Sequence, residues 1–377
     1  MPNPMRWRNQ LEPAALFDHF AAHPPEGFVP LAELPAPGFA APFDLLTTAD
    51  DALKARAARL PGFARWSRWL RIRTAFVGTT VSEYAPLALR GHAGAQAGAG
   101  MPVDPRASAD AGALADAVRA WASRGFALTI IKDLPRQSPL LPAADNAFAD
   151  ALAEACARRG FVLVEGQALA YVPIDFAGID EYIARLSADW RKYLRRKLKH
   201  RAALTVRRIP TGTGFADDAV VEAYYALYEG VYAQSEVHFD RLTRPFFAAV
   251  LRDAAAGGIV FEYRRAADNA LIGWNLCFEH DGRLVDKYIG LSYPASRELS
   301  LYFISWMINL EYALERGLTH YIAGWTDPEI KAQLGARFTF TRHAVYVRNP
   351  VLRALARRFA GRFESDRQWR DERKARA

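Results

Sequence analysis

Cysteine is nearly absent. Cys156 and Cys277 are the only two in 377 residues, too few for a disulfide framework and too far apart for a metal knuckle. Each falls in an apolar segment, as a small core residue does. The eight histidines are scattered and no carboxylate cluster stands at ligand spacing, so no metal is expected. Long apolar runs are missing as well. The charge-free stretch LSLYFISWMINL (299–310) is too short to span a bilayer and reads as a buried helix. The first residues, MPNPMRWRNQLEP, carry charges and no apolar signal core, so a soluble cytoplasmic protein is the expectation.

What the chain does have is positive charge concentrated in one place. The formal net charge is +8, and DWRKYLRRKLKHR (189–201) packs seven Lys/Arg and one Asp into thirteen positions. On a helical wheel Ile183, Leu186, Trp190, Tyr193, Leu194 and Leu198 make one apolar stripe. Arg191, Arg195 and Lys199 run along one flank, Lys192 and Arg196 along the other. Such a helix docks on the protein by its apolar side and carries its charges as rails. Guanidinium forks match phosphate oxygens, so the rails suit a phosphate-bearing partner.

Length and the 51% hydrophobic content allow more than one core. Residues 1–60 form a Pro/Ala-rich segment, expected to be mostly irregular, and GHAGAQAGAGMP (91–102) reads as a flexible loop. Between them and beyond, strand-like WLRIRTAFVG, FALTIIKDLP and FVLVEG alternate with helical ALADAVRAWASRG and DNAFADALAEACARRG. IDEYIARLSADWRKYLRRKLKHR reads as one long helix. The second half is more legible. From TVRRI to RFTFTRHAVYVR the order is β-α-α-β-β-β-α-β-α-β, with the turn HDG marking a hairpin. LAEACARRGFVLVEG (152–166) and LEYALERGLTHYIAG (310–324) resemble each other, which suggests two similar α/β lobes. The boundaries expected are a first lobe at 61–178, a basic connector at 179–203, a second lobe at 204–348 and a basic tail at 349–377.

That element order resembles the GNAT acyltransferase fold, and three stretches resemble its two-lobed, Fem-like branch. LSADWRKYLRRKLKHR is similar to the Ser-x-x-x-Arg-x-x-x-Arg-Arg helix joining the lobes, here Ser187, Arg191, Arg195 and Arg196. YIGLSYPASRELSLYFISWMINLEYALERGL is similar to the strand, crossing loop and long helix. HYIAGWTDPEIKAQLGARF is similar to the Gly-x₆-Lys-x₃-Gly element, here Gly324, Lys331 and Gly335. The resemblance implies an α/β (α+β) protein of tandem GNAT-like lobes, each a mixed, mostly antiparallel sheet flanked by helices. One feature departs from the pattern. The glycine turn that cradles the CoA pyrophosphate is replaced by SYPASRELS (292–300), which has no glycine; Ser296, Arg297 and Ser300 supply donors instead.

The chemistry expected is acyl transfer to an amine, which needs a proton acceptor and a polarised carbonyl. Asp286, Tyr288 and Gly290 alternate with apolar residues in LVDKYIGL and are expected on one face of a strand. His238, near Glu236 and Asp240 in a polar loop, is a further candidate base. Asp286, Tyr288 and His238 are thus the catalytic candidates. Arg191, Arg195, Arg196, Ser296, Arg297, Ser300 and Lys331 are the donor-binding ones, and Asn275, Glu236 and Trp325 are assigned to substrate. The first reading is an N-acyltransferase using acetyl-CoA or a longer acyl-CoA by direct attack in a ternary complex. The alternatives are an aminoacyl-tRNA-dependent Fem-type ligase and a non-catalytic GNAT-like binding protein. The partners expected are a small-molecule or peptide amine and possibly tRNA, not DNA. The basic, amphipathic C-terminal tail is compatible with peripheral membrane contact.

Overall fold

The computed structural model describes residues 7–31, 36–45, 55–56, 58–87, 105–235 and 238–359. The loop 91–102, Glu236 and the tail beyond 359 lie outside them. The chain forms two compact units, one of residues 1–10, 26–168 and 339–377, the other of residues 11–25 and 169–338.

In the first unit β1 (Val29–Pro30), β2 (Gly38–Asp44) and β3 (Arg71–Val77) are antiparallel neighbours. A helix, Pro105–Ala122, carries the chain over to β4 (Leu128–Arg136), which runs parallel to β3. The helix Ala143–Arg158 follows and leads into β5 (Val162–Pro173). Apolar faces of both helices, including Leu114, Val118, Phe148 and Leu152, close the core.

The second unit is built on β6 (Leu204–Pro210), β7 (Gly258–Arg265), β8 (Leu271–His280) and β9 (Arg283–Leu291), an antiparallel meander. Asp281 and Gly282, at φ 47° and 72°, make the tight β8–β9 turn that HDG announced. The helices Asp218–Gln234 and Arg244–Arg252 come between β6 and β7. The apolar helix Leu301–Glu315 is indeed buried along most of its length. It crosses to β10 (His320–Gly324), parallel to β9, and a short helix, Pro328–Gln333, follows. This is the GNAT order read from the sequence, and each unit contains one parallel pair joined by a crossing helix.

That pairing corrects the repeat. The unit that recurs is β3–helix–β4 and β9–helix–β10, so Leu301–Glu315 corresponds to Pro105–Ala122 and not to the helix before β5. The lobe boundaries also differ from 61–178 and 204–348. Residues 170–173 of β5 pair with β10 in the second unit. Residues 340–347 of β11 (Arg337–Val347) pair with β4 in the first. A free edge of each parallel pair is thus closed by a strand end that linear patterning credited to the other lobe. The Pro/Ala-rich start is not irregular throughout. Its helix Ala15–Ala22 buries Leu16, Phe17 and Phe20 and packs with Arg244–Arg252 in the second unit.

The basic run is three pieces rather than one helix: Ile179–Ala184, Ala188–Leu198 and a 3-10 turn at Lys199–Ala203. Ser187 starts the middle piece, its side chain accepting a hydrogen bond from the Trp190 N–H at 3.4 Å. The apolar stripe faces the core as expected, with Ile183, Leu186 and Leu194 buried.

Candidate active site

The centre of the second unit is shaped by one extra residue. Leu276 pairs with Tyr288 and Cys277 with Asp286, so Lys287 has no partner on β8 and forms a bulge. Adjacent residues of β8 point to opposite faces, and so therefore do Asp286 and Tyr288. The single face expected for them does not exist. The Tyr288 ring packs against Phe246 and Phe247, with centroids 5.7 and 5.4 Å away. Asp286 faces the crossing helix Leu301–Glu315.

There Asp286 is the hub of a buried polar network. Its carboxylate accepts from Asn275 Nδ2 at 3.2 Å, Asn309 Nδ2 at 3.0 Å and Tyr321 Oη at 2.8 Å. The Asn309 amide also donates to Tyr321 Oη, and its oxygen accepts from Asn275. Tyr263 Oη in turn donates to Asn275 Oδ1 at 2.7 Å. Enclosure by protein raises the Asp286 pKa above its ordinary 3.8, against the opposing pull of the Tyr321, Asn275 and Cys277 hydrogen bonds and the Lys331 charge. Lys331 is itself 4% exposed, and its ammonium donates to the Ala323 carbonyl at 2.6 Å. The β9–β10 pairing ends at Val285 and Ile322, so Asp286 stands where the two parallel strands part. A ligand crevice belongs at such a divergence.

A cavity of about 320 Å³ lies at the start of the crossing helix, lined by Lys197, Leu291, Tyr293, Ser296, Arg297, Ser300 and Leu301–Phe303. No side chain caps this helix, whose N-cap Ser300 is left-handed at φ 55°. Ser300 Oγ is 3.2 Å from His200 Nδ1 instead. Two buried hydroxyls among the lining residues, Ser296 Oγ and Tyr302 Oη, have no hydrogen-bond partner among the described residues. Buried hydroxyls normally have one. Burial, together with the charges of Asp327 and Asp286, raises the Tyr302 pKa and keeps the phenol protonated. Arg297 stacks its guanidinium 4.8 Å above the Tyr293 ring and donates to Gln234. A helix start with two cations and orphan hydroxyls fits an oxyanion such as phosphate.

The basic helix does border this cavity, through a residue the sequence reading passed over. Lys197 lines it, and Tyr193 of the same helix packs edge-on against Phe303 at 5.5 Å. Of the arginines proposed for donor binding, Arg191 is spent on structure, since its guanidinium donates to the carbonyls of Ala184 (3.0 Å) and Leu186 (2.7 Å). Arg195 and Arg196 are exposed, Arg196 over the Tyr193 ring, and outside the cavity lining. His238 is exposed, its ring edge-on to Tyr232 at 4.9 Å, and does not join the Asp286 network. Trp325 is half-buried just past β10. Asn309 and Tyr302 were missed. The signal for Asn309 was a lone amide inside the charge-free apolar stretch 299–310. His19, on the helix Ala15–Ala22, has its Nε2 2.8 Å from Asp253 Oδ2. Among the described residues no three His, Cys, Asp or Glu are placed to hold a metal ion.

A family model described as peptidoglycan biosynthesis/recognition, FemAB-like, matches residues 128–375, which include every candidate site residue. The chain belongs to the FemAB-like family. No curated protein matches the sequence. Solved structures similar to this FemAB-like chain include FemX, 12% identical over 91% of this chain and 98% of that one, with a TM-score of 0.48. L-PGS from Bacillus licheniformis is 11% identical over 66% and 77%, at 0.40. A tandem GNAT protein from the clavulanic acid biosynthesis pathway is 14% identical over 74% and 76%, at 0.40. Among the described residues no helix of the FemAB-like chain is long and apolar enough to cross a membrane.

Proposed function

We propose that this FemAB-like protein is a transferase that moves an acyl group from an acyl-CoA to an amine, with a phosphate of the carrier seated at the start of the helix Leu301–Glu315. The observation that carries the reading is the cavity where Lys197, Arg297 and the unpartnered hydroxyls of Ser296 and Tyr302 meet an uncapped helix start. In the ternary complex the amine nitrogen attacks the thioester carbonyl. The C–N bond forms, the C–S bond breaks, the amine proton passes to the Asp286 carboxylate, and the departing thiolate takes its proton from solvent. Asn275, Asn309 and Tyr321 hold the carboxylate in place, and Lys331 favours its ionised form.

A second reading, aminoacyl transfer from tRNA, is favoured by a separate feature. Lys192, Arg195 and Arg196 are exposed beside Lys197 and enter no ion pair among the described residues. They extend the positive surface beyond what a small carrier covers, and the FemAB-like assignment supports the same direction. Calorimetry and thermal unfolding with CoA, acetyl-CoA and long acyl-CoAs, against an aminoacyl-tRNA gel shift, separate the two. A CoA user gains about 2.7 kcal/mol at a hundredfold excess over its dissociation constant. A tRNA user binds with a steep salt dependence instead. Binding of neither ligand rejects both readings and leaves a non-catalytic binding protein.

A further inference from the structure

The helix Pro350–Phe359 is held against the first unit through Arg353 and presents Val351, Leu352 and Leu355 to solvent. Asn349 caps it, accepting from the N–H groups of Val351 (2.9 Å) and Leu352 (3.1 Å). The Arg353 guanidinium stacks 5.0 Å above the Tyr346 ring. Arg357 Nη2 and Arg353 Nη1 also lie over Gly160, 3.6 and 3.9 Å from where a Cβ there would sit. The opposite side carries Val351, Leu352 and Leu355, exposed by 74%, 55% and 51%. A helix docked on a water-soluble body ordinarily turns its apolar side inward. This one is inverted.

We propose that this face is a docking surface for an anionic lipid bilayer. The charge around it selects that occupant. Arg348 and Arg358 are exposed beside the apolar residues. From Arg348 to the C-terminus the sequence has ten Lys/Arg against four Asp/Glu, with Phe359, Phe363 and Trp369 interspersed. Leucine and valine side chains flanked by arginines suit the headgroup boundary of an acidic membrane, where the apolar edge enters and the cations meet phosphates. The helix lies in the plane of such a surface and does not span it. Nothing in this surface depends on the transferase chemistry.

Sedimentation of the full-length protein with vesicles tests it, using phosphatidylcholine alone or with about 30% phosphatidylglycerol. The expected result is co-sedimentation with the anionic vesicles only, weakened at high salt. A Leu352→Glu/Leu355→Glu double variant should lose at least about tenfold in vesicle affinity while keeping its thermal unfolding midpoint, because both side chains are exposed. The proposal is overturned if wild type sediments equally with both vesicle types, or if the double variant binds as well as wild type. It is equally overturned if wild type is a dimer in solution that the double variant dissociates, since a second copy then covers the face.

Discussion

The Lys287 ammonium and the Glu12 carboxylate lie 3.5 Å apart with side chains 6% and 0% exposed, joining the bulge in β9 to the N-terminal segment. The bulge turns Asp286 toward the crossing helix, and the ion pair anchors the residue that makes it. Removing one member takes from the other, buried charge a contact that offsets its loss of water. Glu12→Ala should cost about 3–5 kcal/mol in denaturant unfolding. The double replacement Glu12→Gln/Lys287→Met should cost much less. Equal losses in the single and double variants would refute this role.

The raised Asp286 pKa makes a signed prediction. The folded chain keeps this proton at pH values where the unfolded chain, with a carboxyl near 3.8, has released it. Stability contributed by this group therefore falls as pH rises through the window above 3.8. Asp286→Asn should flatten that component in urea unfolding followed across pH. If Asp286 takes the amine proton, the acid limb of kcat/KM lies above the usual carboxylate range in wild type, and kcat falls about a hundredfold or more in Asp286→Asn. An unchanged pH profile in the variant would remove Asp286 from the reaction.

Lys197 and Arg297, which line the cavity, should part company with Arg191, Arg195 and Arg196, which do not. Lys197→Ala and Arg297→Ala each are expected to weaken donor binding about tenfold, or about 1.4 kcal/mol, in calorimetry. Arg191→Ala should leave the affinity alone and lower the unfolding midpoint, because its guanidinium binds the Ala184 and Leu186 carbonyls. Arg195→Ala and Arg196→Ala should matter only for a nucleic-acid donor, seen as a shallower salt slope in a gel shift.

Gly290 on β9 is pressed by its neighbour strand. A Cβ there would sit 2.3 Å from Trp274 Nε1 and 2.9 Å from Leu227 Cβ. Trp274 cannot easily withdraw, since it is fully buried and its Nε1 donates to the Tyr224 carbonyl at 2.9 Å. Gly290→Ala should destabilise by about 1–3 kcal/mol in chemical denaturation. Tolerance without loss would show that the Trp274 layer is more pliant than its burial suggests.

Patterning alone was enough wherever a structure depends on neighbours in sequence. The Asp281–Gly282 hairpin, the apolar helix Leu301–Glu315, and the amphipathic docking of Leu194 follow from local backbone preference and hydrophobic period. The second lobe's element order did so as well. Asn275 and Asp286 were singled out from strand alternation, and the fold brings them together at 3.2 Å. The choice of Lys197 over Arg191, Arg195 and Arg196 was not legible, because all four lie on one helix and only packing against Phe303 decides which faces the cavity.

By itself the sequence determined periods, turns and the placement of charge, since these are fixed within a few residues of each other along the chain. Which strand closes which sheet was settled only in three dimensions. Strand ends pair with whatever edge is free, so β11 joins β4 and the end of β5 joins β10. The bulge at Lys287 was settled there too: a register slip of one residue leaves the sequence unchanged and sends Asp286 and Tyr288 to opposite faces.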